Sequence, residues 1–493
     1  MKKLIIITSS LYIRNYIETD AFKNILDEET FTICFNDISD KESVKKYPNF
    51  FGEFGISKVN VSLYHFITML LMYSNRSLNK GFYFYFKIRN SAIYFPSLRL
   101  KKKAKKWCSN KLCRYILIST IEFFRPIKQP KKLLQYLSIV VINFFGLTSA
   151  VIKLYRNFVP VNQSLVEVIN NIKPDLILIP NGGLDPIVAD VISASCKTCR
   201  PRVMLLIDNW DNLCSKSKFA FNPDYLCVWG EQAQRHAIKY HDFDSSKVFL
   251  AGTPRYDVYY EYQNQEENLN DKYSGALGFP YILFAGCWPP FDEIGVLEIL
   301  DGLVDKYKDF LPSGCKILYR PHPWGENYDK LDYLQSKNLE NVKIDPQMSL
   351  KSRPDDYRRR SDFQPELDYY PFLLDQSEFV ICPLASIIIE ASIMNKKVLA
   401  LAHDDNKSLL NPSMMYDNSD YFDRLSDMTN ITLLRELYDL DSMFYKMIVS
   451  DMPVNQTSLS YYIVKSNKLY PGRIEDICKK LPLAESINSD IIP

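Results

Sequence analysis

Lys316-Ile-Leu-Tyr-Arg-Pro-His-Pro-Trp-Gly325 is a short apolar run that stops on an arginine and turns through two prolines flanking a histidine. Consecutive apolar residues without polar alternation predict a strand over Lys316–Tyr319, buried on both faces. Each proline fixes its own φ and keeps the preceding residue out of the helical region, so the strand must end in a stiff loop. In open α/β sheets, ligands gather at that carboxyl edge. Arg320 and His322 stand there together, and a guanidinium beside a rigidly held imidazole suits a phosphate. The chain has only five histidines, which makes one in this position a candidate binding residue. The plainer alternative is a turn histidine satisfied by backbone.

The pattern extends on both sides. Downstream, Val380-Ile-Cys-Pro-Leu-Ala-Ser-Ile-Ile-Ile-Glu-Ala391 runs from a strand through a turn into a helix, with Ser386 at the helix start. Glu390 follows four residues later on the same face. Free N–H groups and a hydroxyl at a helix start attract phosphate, and the carboxylate can accept from ribose hydroxyls; an ordinary helix cap has the same spacing. Upstream, Phe284-Ala-Gly-Cys-Trp-Pro-Pro-Phe-Asp-Glu293 places Gly286 at a strand-to-helix turn, where a missing Cβ permits close approach. It is not the glycine fingerprint of nicotinamide dinucleotide sites. Further strands are expected at Tyr281–Ala285, Val342–Ile344, Phe379–Cys382 and Lys397–Leu401. Helices are expected at Asp292–Tyr307, Tyr370–Asp375 and Ile387–Asn395, with an Arg-rich loop at Lys351–Asp368. Such alternation predicts a parallel sheet covered by helices.

The N-terminal half repeats the alternation. Strands are expected at Leu4–Thr8, Phe31–Phe35, Asp175–Pro180, Val203–Ile207, Tyr225–Val228 and Val248–Leu250, and helices at Asn15–Leu26, Pro186–Ala194 and Glu231–Tyr240. Residues from about 60 to 157 interrupt it with aromatic and aliphatic stretches that predict a mostly helical, basic insertion. At 493 residues the chain exceeds one ordinary core. The expected organisation is α/β, with two Rossmann-like lobes facing a cleft. The first lobe covers residues 1–262 and a polar linker covers 263–278. The second lobe covers 279–455, and the segment 456–493 packs back on the first. In the first lobe, Leu206-Ile-Asp-Asn-Trp-Asp-Asn-Leu213 sets Asp208 and Asp211 after a buried strand, and Asn181-Gly-Gly-Leu-Asp185 sets Asp185 after the preceding one. Each is a candidate general base toward a hydroxyl, and each has a plainer reading as a turn or helix cap.

Composition narrows the classes. With 47% apolar and 24% charged residues, wholesale disorder is excluded, and a net charge of +2 argues against a molecule built around nucleic acid. Eleven scattered cysteines fit a reducing compartment. Cys196-Lys-Thr-Cys199 lacks a second pair and reads as two thiols at a helix end, not as a metal site. The apolar run after Met1-Lys-Lys is about five residues, below the 7–15 of a signal core, so a first strand and a cytoplasmic chain are expected. Charge is concentrated locally. Between Arg99 and Lys132 stand twelve Lys and Arg against Glu122 alone, with Lys101, Lys102, Lys103, Lys105 and Lys106 beside Trp107, and the apolar run Tyr136–Ile152 follows. Basic clusters beside aromatic amphipathic helices point to an anionic membrane surface, here the inner face of the cell membrane. Solvated helices are the alternative; RNA lacks a recognition motif.

The stretches at 284–293, 316–325 and 380–391 together resemble GT-B glycosyltransferases that use cytidine nucleotides. The His-Pro turn followed by a Ser-bearing strand–helix turn is similar to bacterial sialyltransferases and capsule Kdo transferases. Arg-Pro-His-Pro is also similar to CDP-glycerol glycerophosphotransferases. Val228-Trp-Gly-Glu-Gln and Ala251-Gly-Thr-Pro-Arg-Tyr-Asp257 resemble the same broad group of surface-carbohydrate transferases. The resemblance covers roughly residues 280–405 and implies a GT-B fold and an inverting glycosyl transfer. By that likeness the donor would be a nucleotide sugar, CMP-linked, and the acceptor a surface polysaccharide or lipid-linked glycan. Gly286, Arg320, His322, Ser386 and Glu390 would face the donor, and an Asp would act as base. The acidic pair motif of the sialyltransferases has no match in the N-terminal half. A CDP-polyol phosphotransferase, a non-catalytic GT-B scaffold and a sugar-nucleotide epimerase are the alternatives. No Asp-x-Asp stands at a strand end of the second lobe, so neither a metal nor a cofactor besides the nucleotide-sugar co-substrate is expected.

Overall fold

Two all-parallel sheets organise the chain in the computed structural model, which describes residues 1–38, 41–47, 49–90, 130–264, 272–273, 277–287, 291–322, 334–349, 366–408, 411–465 and 467–481. The first contains β1 (Lys3–Ile7), β2 (Thr30–Phe35), β3 (Phe50–Phe54), β4 (Leu176–Asn181), β5 (Arg202–Ile207), β6 (Tyr225–Val228) and β7 (Val248–Leu250). The second contains β8 (Tyr281–Ala285), β9 (Lys316–Arg320), β10 (Val342–Ile344), β11 (Ser377–Pro383), β12 (Val398–Leu401) and β13 (Ile431–Leu434). Their spatial orders are 3-2-1-4-5-6-7 and 10-9-8-11-12-13. Each order reverses once, between β1 and β4 and between β8 and β11, and such a reversal opens a crevice at the strands' carboxyl ends.

Period-two alternation explains the cores. In the first sheet Leu176, Leu178, Met204 and Leu206 enter one cluster, while Ile177, Ile179, Val203 and Leu205 enter another on the opposite face. In the second, Tyr281, Leu283, Leu318 and Val380 face one side, and Ile282, Phe284, Ile317 and Phe379 the other. Both faces are buried, which is why these strands read as continuous apolar runs.

The helices that matter below are α1 (Lys58–Ser74), α2 (Lys80–Arg89), α3 (Pro130–Phe144), α4 (Thr148–Phe158), α5 (Pro186–Ser195), α6 (Glu231–His241), α7 (Asp257–Asn264), α8 (Glu293–Lys306), α9 (Tyr369–Asp375), α10 (Ile387–Ile393), α11 (Gln456–Tyr462) and α12 (Tyr470–Lys480). The insertion is helical where described, in α1 to α4. Lys101, Lys102, Lys103, Lys105, Lys106 and Trp107 lie outside the described residues, as do most of the linker and the Arg-rich loop. From α7, Tyr262 Oη donates to Asp375 at 3.2 Å and Gln263 Nε2 to the Ile393 carbonyl at 3.0 Å. The C-terminal helix α12 lies on the first lobe, where Ile474 and Cys478 join the core that contains Ile5. Arg473 donates to the Ala251 carbonyl at 2.7 Å and pairs with Asp257 at 3.0 Å.

Two local expectations are corrected. The expected helix Asn15–Leu26 is absent. A helical turn begins at Ser10, passes into a π-helical turn over Ile13–Ile17 and ends before a 3₁₀ turn at Lys23–Ile25. Asp20 adopts a left-handed φ of 51°, which a continuing right-handed helix cannot accommodate. Strands β3 and β13 were also not anticipated. Both lie at sheet edges and are only partly buried, so neither shows the unbroken apolar signature.

Candidate functional site

The carboxyl edges of the two sheets face each other across a cleft with two communicating chambers. The smaller, about 230 Å³, is bounded by Gly286 after β8, His322 after β9 and Glu390 of α10, opposite Arg14, Arg255 and Tyr259. The larger, about 680 Å³, is bounded by Asp185 and Asp211, by Lys216 and Trp210, and by His65 of α1 and Tyr85 of α2. Asp208 and Asn209 from the first lobe and His322 and Ser386 from the second line both chambers. The junction therefore has a carboxylate on one wall and an imidazole with a hydroxyl on the other.

The second lobe positions its wall through buried polar contacts. Arg320 is sequestered: its guanidinium pairs with the fully buried Asp345 at 2.5 Å and donates to Tyr370 Oη at 2.9 Å. It anchors the turn that carries His322, which narrows the direct phosphate role expected from its neighbourhood. Gly286 is explained by packing. A Cβ there would lie 3.0 Å from the Glu293 carboxylate and 3.0 Å from the His322 backbone nitrogen, so an added methyl would push the β8 and β9 turns apart by a few tenths of an ångström. Glu293, the first residue of α8, accepts from the Cys287 N–H at 2.9 Å and holds that loop. Ser386 stands at the N-cap of α10 without a capping bond; its Oγ lies 3.4 Å from Glu390 Oε1. Glu390 bridges the lobes, accepting from Tyr259 Oη at 2.7 Å and lying 3.7 Å from Arg255. A ribose hydroxyl would have to share that carboxylate with the first lobe.

The three first-lobe aspartates are unequal. Asp185 caps α5 by accepting from the Ile187 N–H at 3.0 Å, and burial raises its pKa. Asp211 accepts from Ser215 Oγ at 3.0 Å and keeps Oδ1 buried without a partner. Asp208 is buried yet borders both chambers, with Asn15 Nδ2 donating to it at 3.1 Å. Burial raises its pKa, partly opposed by Arg255 and Asn15. The structure thus brings Asp208 to the junction and leaves Asp185 and Asp211 on the walls of the larger chamber.

Several cleft residues carried no sequence signal. Arg14 and Asn15 sit on the π-helical turn, a distortion frequent at functional sites, and Arg14 stacks over Tyr370 of the opposite lobe at 5.6 Å. Arg255 lies over Trp229 and Tyr256 at 5.0 and 4.9 Å, with its Nε buried and unpartnered. Burial works against its charge, but Tyr256, Glu390 and Asp208 outweigh burial and hold its pKa above the ordinary value. In the sequence the stretch Ala251–Asp257 is marked only by its resemblance to surface-carbohydrate transferases.

No family model matches this chain, and no curated protein matches it. Solved structures do. A UDP-GlcNAc 2-epimerase from Methanocaldococcus jannaschii matches at TM-score 0.51 and 10% identity, covering 97% of this chain and 100% of that one. The fold is GT-B-like. A structure of the Methanocaldococcus jannaschii UDP-GlcNAc 2-epimerase in complex with UDP-GlcNAc and UDP matches at TM-score 0.50 and 12% identity, covering 97% and 99%. At such identities the likeness concerns architecture, two Rossmann-like lobes with facing carboxyl edges, and leaves the chemistry to the cleft residues.

Proposed function

We propose that this chain is an inverting glycosyltransferase that moves a sugar from a nucleotide-activated donor, CMP-linked, to a surface polysaccharide or lipid-linked glycan. The observation that carries this reading is the junction: two chambers of the cleft meet between Asp208 and the His322–Ser386 wall. The donor occupies the smaller chamber with its phosphate toward His322 and Ser386. An acceptor hydroxyl in the larger chamber attacks the anomeric carbon and gives its proton to Asp208. The bond from that carbon to the phosphate oxygen breaks, and the electron pair leaves with the nucleotide. Arg14 and Arg255 place positive charge near the departing phosphate. A carboxylate whose pKa is raised by burial is a stronger base than an exposed one.

The epimerase alternative is supported by fold likeness alone. An epimerase acts on a single nucleotide sugar and gives no reason for the larger chamber. A CDP-polyol phosphotransferase would use both chambers but attack phosphorus, and product analysis separates the two because its product is a phosphodiester. The cytidine preference rests on the resemblance of the His-Pro turn. A thermal-shift screen of CMP, CDP, UDP and GDP with their sugar conjugates tests it. Cytidine compounds should stabilise the chain, and His322→Ala should weaken that binding by about 1.5–3 kcal/mol, the scale of a charge-assisted hydrogen bond. A response to UDP or GDP alone would remove the cytidine assignment, and silence toward every nucleotide would remove the donor site.

A further inference from the structure

The helical insertion leaves a large apolar surface uncovered among the described residues. Along α3, Leu134, Leu137, Val141 and Phe144 recur at helical spacing and are all exposed, and only Ile139 is buried. Phe145 continues the surface at the bend, and α4 adds Leu154 and Phe158 four residues apart. Phe144 and Phe158 are 81% and 77% exposed. Isolated exposed apolar residues need no explanation, but these seven, on two successive helices and the bend between them, mark a contact surface.

Charge and shape identify the occupant. From Pro130 to Phe158 the chain has Lys131, Lys132, Lys153 and Arg156 and no acidic residue, and the Lys- and Arg-rich stretch from Arg99 precedes it directly in sequence. An apolar face with basic flanks matches an anionic bilayer surface, whose headgroups attract the cations while acyl chains take up the apolar side chains. Among the described residues no single helix is long and apolar enough to cross a membrane, and α3 and α4, which qualify only as a pair, are bent by 114°. One side of the pair is already committed to protein. Val151, Ile152 and Tyr155 pack on Tyr64, Ile67 and Leu71 of α1, Ile139 packs on Met69 and Phe86, and Arg156 Nε donates to the Ala220 carbonyl at 2.8 Å. That attachment favours lying in the interface over spanning it.

We infer that the α3–α4 hairpin seats this chain on an anionic membrane and so brings a lipid-linked acceptor to the larger chamber. The helices beneath the hairpin, α1 and α2, supply His65 and Tyr85 to that chamber's wall, so the docking face and the acceptor side share one support. The acceptor half of this inference rests on the proposed glycosyl transfer; the docking half does not. The test is flotation of the full chain with vesicles of equal parts phosphatidylglycerol and phosphatidylcholine, against pure phosphatidylcholine, without nucleotide or acceptor. The mixed vesicles should bind the chain, and pure phosphatidylcholine should bind it at least about tenfold more weakly. The doubly substituted Phe144→Asp, Phe158→Asp chain should lose about tenfold or more on the mixed vesicles while keeping the parent's nucleotide-dependent thermal shift. A parent chain that stays unbound overturns the inference, as does a variant that binds like the parent. If the parent ignores vesicles and the variant instead converts a dimer to a monomer, the face joins two copies of the chain and the inference fails. Loss of nucleotide response with vesicle binding intact would count against the transferase reading and leave docking standing.

Discussion

The turns after β4 and β5 carry Asp185, Asp208 and Asp211 to the carboxyl edge of the first sheet, whereas β9 ends on Arg320 and the turns after β9 and β11 carry His322 and Ser386 to the edge of the second. The sheets themselves share one strand order up to the extra edge strand β7. One frame thus presents three aspartates with Arg14 and Arg255 on one side of a cleft, and an imidazole, a hydroxyl and the Glu390 carboxylate on the other. The difference resides in loops of a few residues, which a packed sheet holds in place without constraining their chemistry. In the proposed transfer the first wall supplies the proton acceptor and two cations, and the second supplies the imidazole and hydroxyl that face the phosphate.

Removing the carboxylate at the junction should produce the largest effect. Asp208→Asn should lower kcat about 10²–10⁴-fold, the range of a lost general base, while nucleotide binding on the opposite wall stays within twofold of the parent. Steady-state turnover with a parallel nucleotide titration reads both; a comparable loss in Asp185→Asn or Asp211→Asn with Asp208→Asn active would move the base to the larger chamber.

Acid should unsettle α6 next. In α6 of the first lobe, His236 and His241 are buried. Burial lowers their pKa values from 6.5 to about 4 and about 3. His241 Nε2 lies 2.8 Å from the Leu213 carbonyl, and its Nδ1 accepts from the Phe219 N–H, an arrangement available only to the neutral ring. Both folded-state values lie below the unfolded one, so their stabilisation is complete above pH 6.5 and is lost as pH falls toward 4 and 3. At pH 5 the two should together cost about 4 kcal/mol relative to pH 7. Urea titrations at the two pH values check the sum, and hydrogen exchange should show α6 opening before the β8–β9 core.

The smallest expected effect concerns the second lobe's own frame. Gly286→Ala brings a methyl to 3.0 Å from the Glu293 carboxylate and the His322 nitrogen. It should destabilise the chain by about 1–3 kcal/mol, the range of an overpacked site. Nucleotide response should fall with it, since the same contact sets the height of the His322 turn. Unchanged melting with unchanged nucleotide response would show the two turns to be independent.

Legibility followed burial. The central strands are legible because being buried on both faces forces a continuous apolar run, and Tyr225–Val228 and Tyr281–Ala285 fall where the runs place them. At the sheet edges a half-covered strand has no such requirement: β7 and β10 still coincide with short expected strands, whereas β3 and β13 do not. The π-helical turn at Ile13–Ile17 was missed for a related reason: helical spacing alone does not distinguish it from an ordinary helix. Among cleft residues, those on conspicuous turns, such as His322 between its prolines and Ser386 after β11, could be nominated in advance.

By itself, the sequence determined an α/β chain of two sheets, the edges where polar residues cluster and a basic, apolar insertion, since each is written in local periodicity and turn chemistry. Tertiary structure alone decided which of three aspartates reaches the junction, that Arg320 is held by Asp345, and that Glu390 meets Tyr259 and Arg255 across the cleft. Arg320 and Asp345 lie 25 residues apart within one lobe, and Tyr259 and Glu390 lie 131 apart across the cleft; no local pattern records a contact that exists only once distant segments have folded against each other.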